Sequence, residues 1–264
     1  MIVKSKDISL GADPELFVTK GNKIVSAIGL IGGTKDSPVP VMRGGLQEDN
    51  VLAEINIDPC NDLENWLINL DLVTKQLKER LGIGYSVIAK PSHDFTPEEL
   101  CKNIKALAFG CDPDYNAYTG EENPRPSAET TLRTAGGHVH VGYPGASFKT
   151  AAQVCKALDV VLGIPSVILD PDNRRRSMYG KAGAFRLKSY GVEYRSLSNF
   201  WMNSRELKTW VFNSSKDLMK ALDISSKVFE SVGEYEVQSI INKGDIISAR
   251  SVVNSFNIDM PEAV

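Results

Sequence analysis

Acidic and histidine side chains recur at two-residue spacing inside short, extended-looking segments of this chain. Asp13 and Glu15 lie in Gly11-Ala12-Asp13-Pro14-Glu15-Leu16-Phe17, and Glu54 and Asn56 in Leu52-Ala53-Glu54-Ile55-Asn56-Ile57. His138 and His140 follow Gly136-Gly137, and Glu193 and Arg195 lie in Gly191-Val192-Glu193-Tyr194-Arg195-Ser196-Leu197. Residues i and i+2 of a strand share one face of the sheet, so each segment presents two polar groups on one side. A sheet face lined by carboxylates and imidazoles makes a poor core and a good divalent-cation site. Mg²⁺ takes oxygen ligands octahedrally, one or two carboxylates per ion. Asp13, Glu15, Glu48, Asp49, Glu54 and Glu193 would then hold two or three ions, and His138 or His140 suits Mg²⁺ or Mn²⁺ at a mixed site. Zinc fits less well, because no cysteine neighbours these residues. The Gly136-Gly137 pair is expected to let a ligand approach the backbone closely.

A second group is cationic: Arg174, Arg175, Arg176, Lys181, Arg186, Lys188 and Arg195. Three consecutive arginines are commonly a solvated patch, and Arg174 is read that way. The others lie in a glycine-rich stretch leading into the strand that carries Glu193. Arginine clamps phosphate or carboxylate with two donors, and lysine acts as a point charge. Carboxylates for metal and cations for phosphate oxygens are the two halves of a phosphoryl-transfer site. Neither a Walker P-loop nor a kinase glycine-rich loop is present.

The elements that must position these groups are legible from periodicity. A hairpin is predicted from Glu15 to Ile28 around Gly21-Asn22, then loop from 30 to 46 and a strand from Val51 to Ile57. Asp62 to about Leu81 carries the apolar stripe of a helix. Tyr85 to Ala89 reads as a strand, and Thr96 caps a short helix opened by Pro97. Residues 110 to 135 are polar and loop-like, a candidate lid or wall of the site. A helix from about Ser147 to Leu162 should stop at Gly163-Ile164-Pro165, and Ala184 to Leu197 should form a hairpin. Helices are expected at about 204 to 222, 234 to 242 and 246 to 254. Strands and helices without a regular βαβ rhythm favour an α+β fold with a largely antiparallel sheet. One face should pack on helices through Phe17, Ile55, Val139 and Tyr194, and the other should carry the polar pairs.

The 264 residues suit one domain, with 42% hydrophobic and 24% charged residues. A net charge of −3 argues against nucleic acid as partner. No run was expected to reach bilayer-spanning length, and Met1 to Asp7 lacks a signal-peptide core. Cys60, Cys101, Cys111 and Cys155 are scattered, as reduced thiols of a cytoplasmic protein would be.

The segments Gly11 to Glu15, Asp49 to Asn56, Gly137 to Gly142 and Tyr190 to Trp201, in that order, resemble the carboxylate–amine ligase superfamily of glutamine synthetase and glutamate–cysteine ligase. Phe109 to Ala117 and Tyr179 to Arg186 resemble its phage-associated COOH.NH2 ligase-type 2 branch. The resemblance covers roughly residues 10 to 202, with a helical part beyond. It implies a curved antiparallel sheet with helices outside and the active site in its concave face. It also implies ATP with two or three Mg²⁺ ions, phosphorylation of a carboxylate, and displacement of phosphate by an amine. By resemblance Asp13, Glu15, Glu54, His138 and Glu193 are metal ligands, with Glu48 or Asp49 as a further acid, and Arg195 contacts phosphate. Arg195, Arg186 and Lys181 are then the candidate catalytic cations, and His138, His140, Arg175, Arg176 and Arg195 the candidate nucleotide-binding groups. Small-molecule or peptide carboxylates and amines would be the substrates. Since glutamine synthetase builds its sites between subunits, the resemblance leaves room for a homo-oligomer, and for a phage-encoded protein the compartment would be the host cytoplasm. The alternatives are a guanidino-type phosphotransferase on the same scaffold, a non-catalytic nucleotide- or metal-binding protein and, last, a metal-dependent hydrolase built on His138 and His140.

Overall fold

The computed structural model describes residues 5–107, 113–124 and 130–261. Cys111 and the first four residues of the Phe109 to Ala117 motif lie outside these, as does part of the polar segment from 110 to 135.

Strands β1 (Ser9–Lys20), β2 (Lys23–Val25), β3 (Val39–Val41), β4 (Gly44–Asp49) and β5 (Leu52–Ile57) precede helix α1 (Leu63–Leu81). Then come β6 (Tyr85–Ile88), β7 (Ser92–Asp94), helix α2 (Pro97–Leu100), β8 (Tyr115–Asn116), β9 (Leu132–Thr134) and β10 (Gly137–Gly142). Helices α3 (Phe148–Leu158), α4 (Ile164–Leu169) and α5 (Arg174–Met178) lead to the hairpin β11 (Ala184–Lys188) and β12 (Gly191–Tyr194). Helices α6 (Arg205–Lys216), α7 (Leu218–Ser231), α8 (Glu234–Lys243) and α9 (Ile246–Phe256) close the described chain. Ten strands form one sheet with the central order β3-β4-β5-β1-β10-β12-β11-β8, in which β2 and β6 also pair with β1. Every pairing is antiparallel. The expected α+β architecture is therefore present.

One face of the sheet is closed by helices. Leu10, Ala12, Leu16 and Val18 of β1 bury against a core that includes Trp66, Leu70, Val73 and Leu77, the apolar stripe of α1. The Trp66 and Trp201 rings stack at 5.8 Å in the same core. Asp62 caps α1 by accepting from the Asn65 N–H at 2.9 Å, and Thr96 caps α2 as its sequence position demands.

Several expectations change. Residues 30 to 46 are not all loop: the edge strand β3 and the Gly-Gly start of β4 lie there, in a stretch rich in Gly and Pro that carries little periodicity. Phe17 does not face the helices. The pleat gives it the side of Asp13 and Glu15, where it joins Val51, Leu52, Phe95 and Leu100 in a second apolar cluster. The helix beginning at Phe148 does not stop at Gly163. It passes through a π turn (Asp159–Gly163), and Pro165 sits in the first turn of the continuing α4, where its missing N–H costs little. The resulting Phe148–Leu169 segment is long and apolar enough to cross a bilayer, contrary to expectation, but 72% of its apolar window is buried within the fold. The stretch from 204 to 222 is broken at Asp217, which ends α6 and caps α7 through the Lys220 N–H.

Candidate active site

Register turns the scattered pairs into a lattice on the uncovered face. Glu54 on β5 lies opposite Glu15 on β1, and Asp13 lies opposite His138 on β10. His140 lies opposite Glu193 on β12, which in turn lies opposite Arg186 on β11. These side chains line one cavity of about 440 Å³, with Lys35, Gln47, Asp49, Asn56, Asp114, Arg133, Arg175, Lys188 and Arg195.

The side chains contact one another across strands. His138 Nδ1 is 3.3 Å from Asp13 Oδ1 and 3.8 Å from Glu193 Oε1, and His140 Nε2 is 3.1 Å from Asp13 Oδ2. Glu193 meets three cations: Arg186 Nη1 at 3.2 Å, Lys188 Nζ at 2.7 Å and Arg195 Nη1. Arg195 Nε also donates to Asp114 Oδ2 at 3.0 Å, and Arg186 Nε to the Pro113 carbonyl at 3.3 Å. Of the polar segment, Asp114, Arg133 and Thr134 thus form part of the cavity wall.

Electrostatics divides the site. Burial, then repulsion from Asp49, pushes the Glu15 carboxyl up to about 8. Burial and the charges of Asp13, Asp49 and Glu15 hold Glu54 well above the carboxylate range, and burial raises Asp49. Burial opposes the charge on Glu193 too, but Arg195 and the two imidazoles outweigh it and hold that carboxyl well below its usual range. Asp13 is likewise held low against burial by His140 and His138. Burial and then Arg195 push His138 down to about 4, whereas Asp13 overcomes burial to raise His140.

Among the described residues, two groups have the donor sets of cation sites. One ligand atom each from Glu15, Asp49 and Glu54 lie within 4.8 Å of one another, as do those from Asp13, His140 and Glu193. The first set is all oxygen and crowded with charge that a divalent ion would relieve; the second is mixed oxygen and nitrogen. Both fit Mg²⁺ or Mn²⁺. The second group contains His140, not His138. His138 Nδ1 lies beside both Asp13 and Arg195, 3.3 Å from Asp13 Oδ1 and 3.3 Å from Arg195 Nη1.

Other expectations change here. Gly137 serves the fold, since a side chain there would strike the Ser198 carbonyl at 2.3 Å, whereas Gly136 lines the cavity, where a side chain would strike the His138 imidazole at 2.3 Å. Glu48 lines the cavity, but its Oε1 accepts from the Gly29, Ile31 and Gly32 N–H groups at 3.0, 3.1 and 2.8 Å, which makes it a loop clasp as well. Lys181 is exposed and does not line the cavity; its carbonyl accepts from Ser196 Oγ at 2.9 Å. Arg176 is buried away from the cavity, donating to Ser166 Oγ and Asn173 Oδ1 at 3.0 Å each. Arg175 does line it, but two of its guanidinium nitrogens are held by the Ser196 and Arg195 carbonyls. Arg174 is at the surface, paired with Asp94 and Asp172, as expected.

Sequence reasoning missed Lys35, Gln47 and Arg133, and saw Asp114 only as part of a motif. Gln47 had a readable signal, since it precedes Glu48-Asp49 in a stretch whose alternation continues through β4. Lys35, in a loop, had none.

An antiparallel sheet with carboxylates, imidazoles and guanidinium groups converging on one cavity defines an α+β protein with a site suited to divalent cations and oxyanions together. Over residues 84–260, well over half of its length, the chain matches the phage phiEco32-like COOH.NH2 ligase-type 2 family, and it belongs to that family of carboxylate–amine ligases. The match takes in the helical part after residue 203, where no motif was recognised, and leaves out β1 to β5 with Asp13, Glu15, Asp49 and Glu54. Those acids join the site through the sheet. No curated protein matches the chain. Among solved structures it is similar to a bifunctional glutathione synthetase from Pasteurella multocida, at 10% identity and a TM-score of 0.49, over 97% of this chain and 45% of that one. It is also similar to a glutamine synthase homolog, at 10% identity and a TM-score of 0.37, over 95% of this chain and 66% of that one. The chain thus spans less than half the length of the glutathione synthetase.

Proposed function

We propose that this cavity is the active site of an ATP-dependent, Mg²⁺-requiring ligase that phosphorylates a carboxylate and joins it to an amine. The observation that carries the reading is the convergence of two cation-suited acid groups with Arg186, Lys188 and Arg195 in one buried cavity. Bound to the Glu15, Asp49 and Glu54 group and to the Asp13, His140 and Glu193 group, Mg²⁺ would neutralise phosphate charge and polarise the transferring phosphoryl group.

The chain's own residues would do the rest. Arg195 and Arg186, braced by Glu193 and Asp114, hold guanidinium groups in place for phosphoryl oxygens, so that little reorganisation is needed as charge shifts in the transition state. Lys188 adds a point charge beside Glu193. His138, kept neutral by burial and Arg195, places an uncharged ring beside Asp13 and Arg195. The wall carrying Pro113 and Asp114 would help exclude water, which otherwise competes with the amine for the activated carboxyl. Activation is necessary because a carboxylate oxygen is a poor leaving group and phosphate a good one.

The test is ATP turnover with Mg²⁺, pooled amino-acid carboxylates and hydroxylamine as surrogate amine, beside Glu193→Ala. Hydroxamate and phosphate should appear together and vanish in the variant. Formation of ADP without phosphate would replace the ligase reading with a phosphotransferase.

A further inference from the structure

His140 is gripped from both sides. Its Nε2 is buried, faces Asp13 Oδ2 at 3.1 Å and makes no well-formed hydrogen bond. On the opposite side of the ring, Nδ1 is in hydrogen-bond contact with the Tyr190 hydroxyl. The Tyr190 ring also stacks on the imidazole, with centroids 6.0 Å apart and planes 28° apart. Tyr190 sits in the turn between β11 and β12, and its carbonyl accepts from the Tyr143 N–H at 2.8 Å, which fixes the turn against the end of β10. Stack and hydroxyl together restrain the imidazole against a half-turn that would exchange its nitrogens for carbons.

Which nitrogen of a histidine can bind metal is set by the hydrogen bond that the other one makes. A phenol hydroxyl can accept from Nδ1–H, and that tautomer leaves the Nε2 lone pair aimed at the space shared with Asp13 and Glu193. We propose that Tyr190 is the positioning residue of the Asp13, His140 and Glu193 cation site, its hydroxyl holding His140 with Nε2 as the metal-binding nitrogen. This rests on the reading of that group as a metal site. Tyr190 itself, a neutral phenol exposed at the hairpin turn, touches neither ion nor substrate in this account.

The experiment is Mn²⁺ titration of the whole chain followed by electron paramagnetic resonance, for wild type, Tyr190→Phe, Asp13→Asn and Glu54→Gln. The Phe variant keeps the stack and removes only the hydroxyl. It should bind Mn²⁺ at the His140 site about tenfold or more weakly, while the Glu15, Asp49 and Glu54 site keeps its affinity. With Mg²⁺ bound, ¹⁵N shifts of His140 should report the Nδ1-protonated tautomer in wild type and a mixture in Tyr190→Phe. Unchanged affinity and tautomer in Tyr190→Phe would overturn the role given to Tyr190. If Asp13→Asn also left wild-type binding intact, the metal site itself would fall, and Tyr190's role with it.

Discussion

Glu15 and Glu54 sit directly opposite each other on paired antiparallel strands, both buried, in a position where like charges repel. Burial and Asp49 raise Glu15 to about 8 from an ordinary 4.5, so the folded state takes up a proton that the unfolded chain has released. The stability this provides is present below about 4.5 and is lost as the pH rises through about 8. His138, lowered to about 4 from 6.5, works in the opposite sense but is spent above 6.5. The metal-free protein should therefore lose stability between pH 6.5 and 8. Saturating Mg²⁺ or Mn²⁺ should flatten that slope and, at a hundred times its Kd, add about 2.7 kcal/mol at a single site. Melting curves at several pH values with and without EDTA check both; identical curves would count against ions at these acids.

Arg195→Lys should cost about 100-fold in kcat/KM for hydroxamate formation, roughly 2.7 kcal/mol of transition-state stabilisation. One guanidinium now spans Asp114, Glu193 and His138, and an ammonium cannot keep all three contacts. A loss of less than fivefold would mean that Arg195 only braces the wall.

Lys181→Ala and Arg176→Met separate cavity from scaffold. The exposed Lys181 side chain should be removable with activity retained within about twofold. Arg176→Met strands Asn173 Oδ1 and Ser166 Oγ, so it should lower unfolding stability by about 1–3 kcal/mol without weakening ATP binding. Urea unfolding and calorimetric ATP titration measure the two effects.

Asp159→Asn should destabilise the fold by about 2 kcal/mol or more. Oδ1 of this buried carboxylate accepts from Tyr194 and Ser196, and Oδ2 from Tyr118 and the Gly183 N–H. An amide NH₂ on the Oδ2 side would face the Gly183 N–H, which cannot accept, and on the Oδ1 side it would force the Tyr194 and Ser196 hydroxyls to turn from donating to accepting. Because those partners flank Arg195 and anchor the wall after Asp114, ATP affinity should fall together with the urea midpoint. Tyr118→Phe, losing one bond, should show about half the effect or less.

Most of the strands and acids were legible in the sequence because strand alternation has a period of two whatever the strand's partners, and the antiparallel pairing because no regular βαβ rhythm joins the strands. Asp13, Glu15, Glu54, His138, His140, Glu193 and Arg195 all announced themselves in this way. The π turn at Asp159 did not, since Gly163 and Pro165 read locally as a helix end and only the Tyr118, Tyr194 and Ser196 hydroxyls and the Gly183 N–H gathered on Asp159 show why the widened turn is kept.

By itself, then, the sequence determined which side chains share a face, because that depends only on backbone geometry within each strand. Tertiary structure decided who meets whom. Register placed Glu15 against Glu54, Asp13 against His138 and His140 against Glu193, and so brought both imidazoles to Asp13. Packing drew Arg176 into the core and left Lys181 outside, though both stand in the same cationic run. Such choices follow from contacts between residues far apart in the chain, such as Arg195 with Asp114, and local spacing carries no record of them.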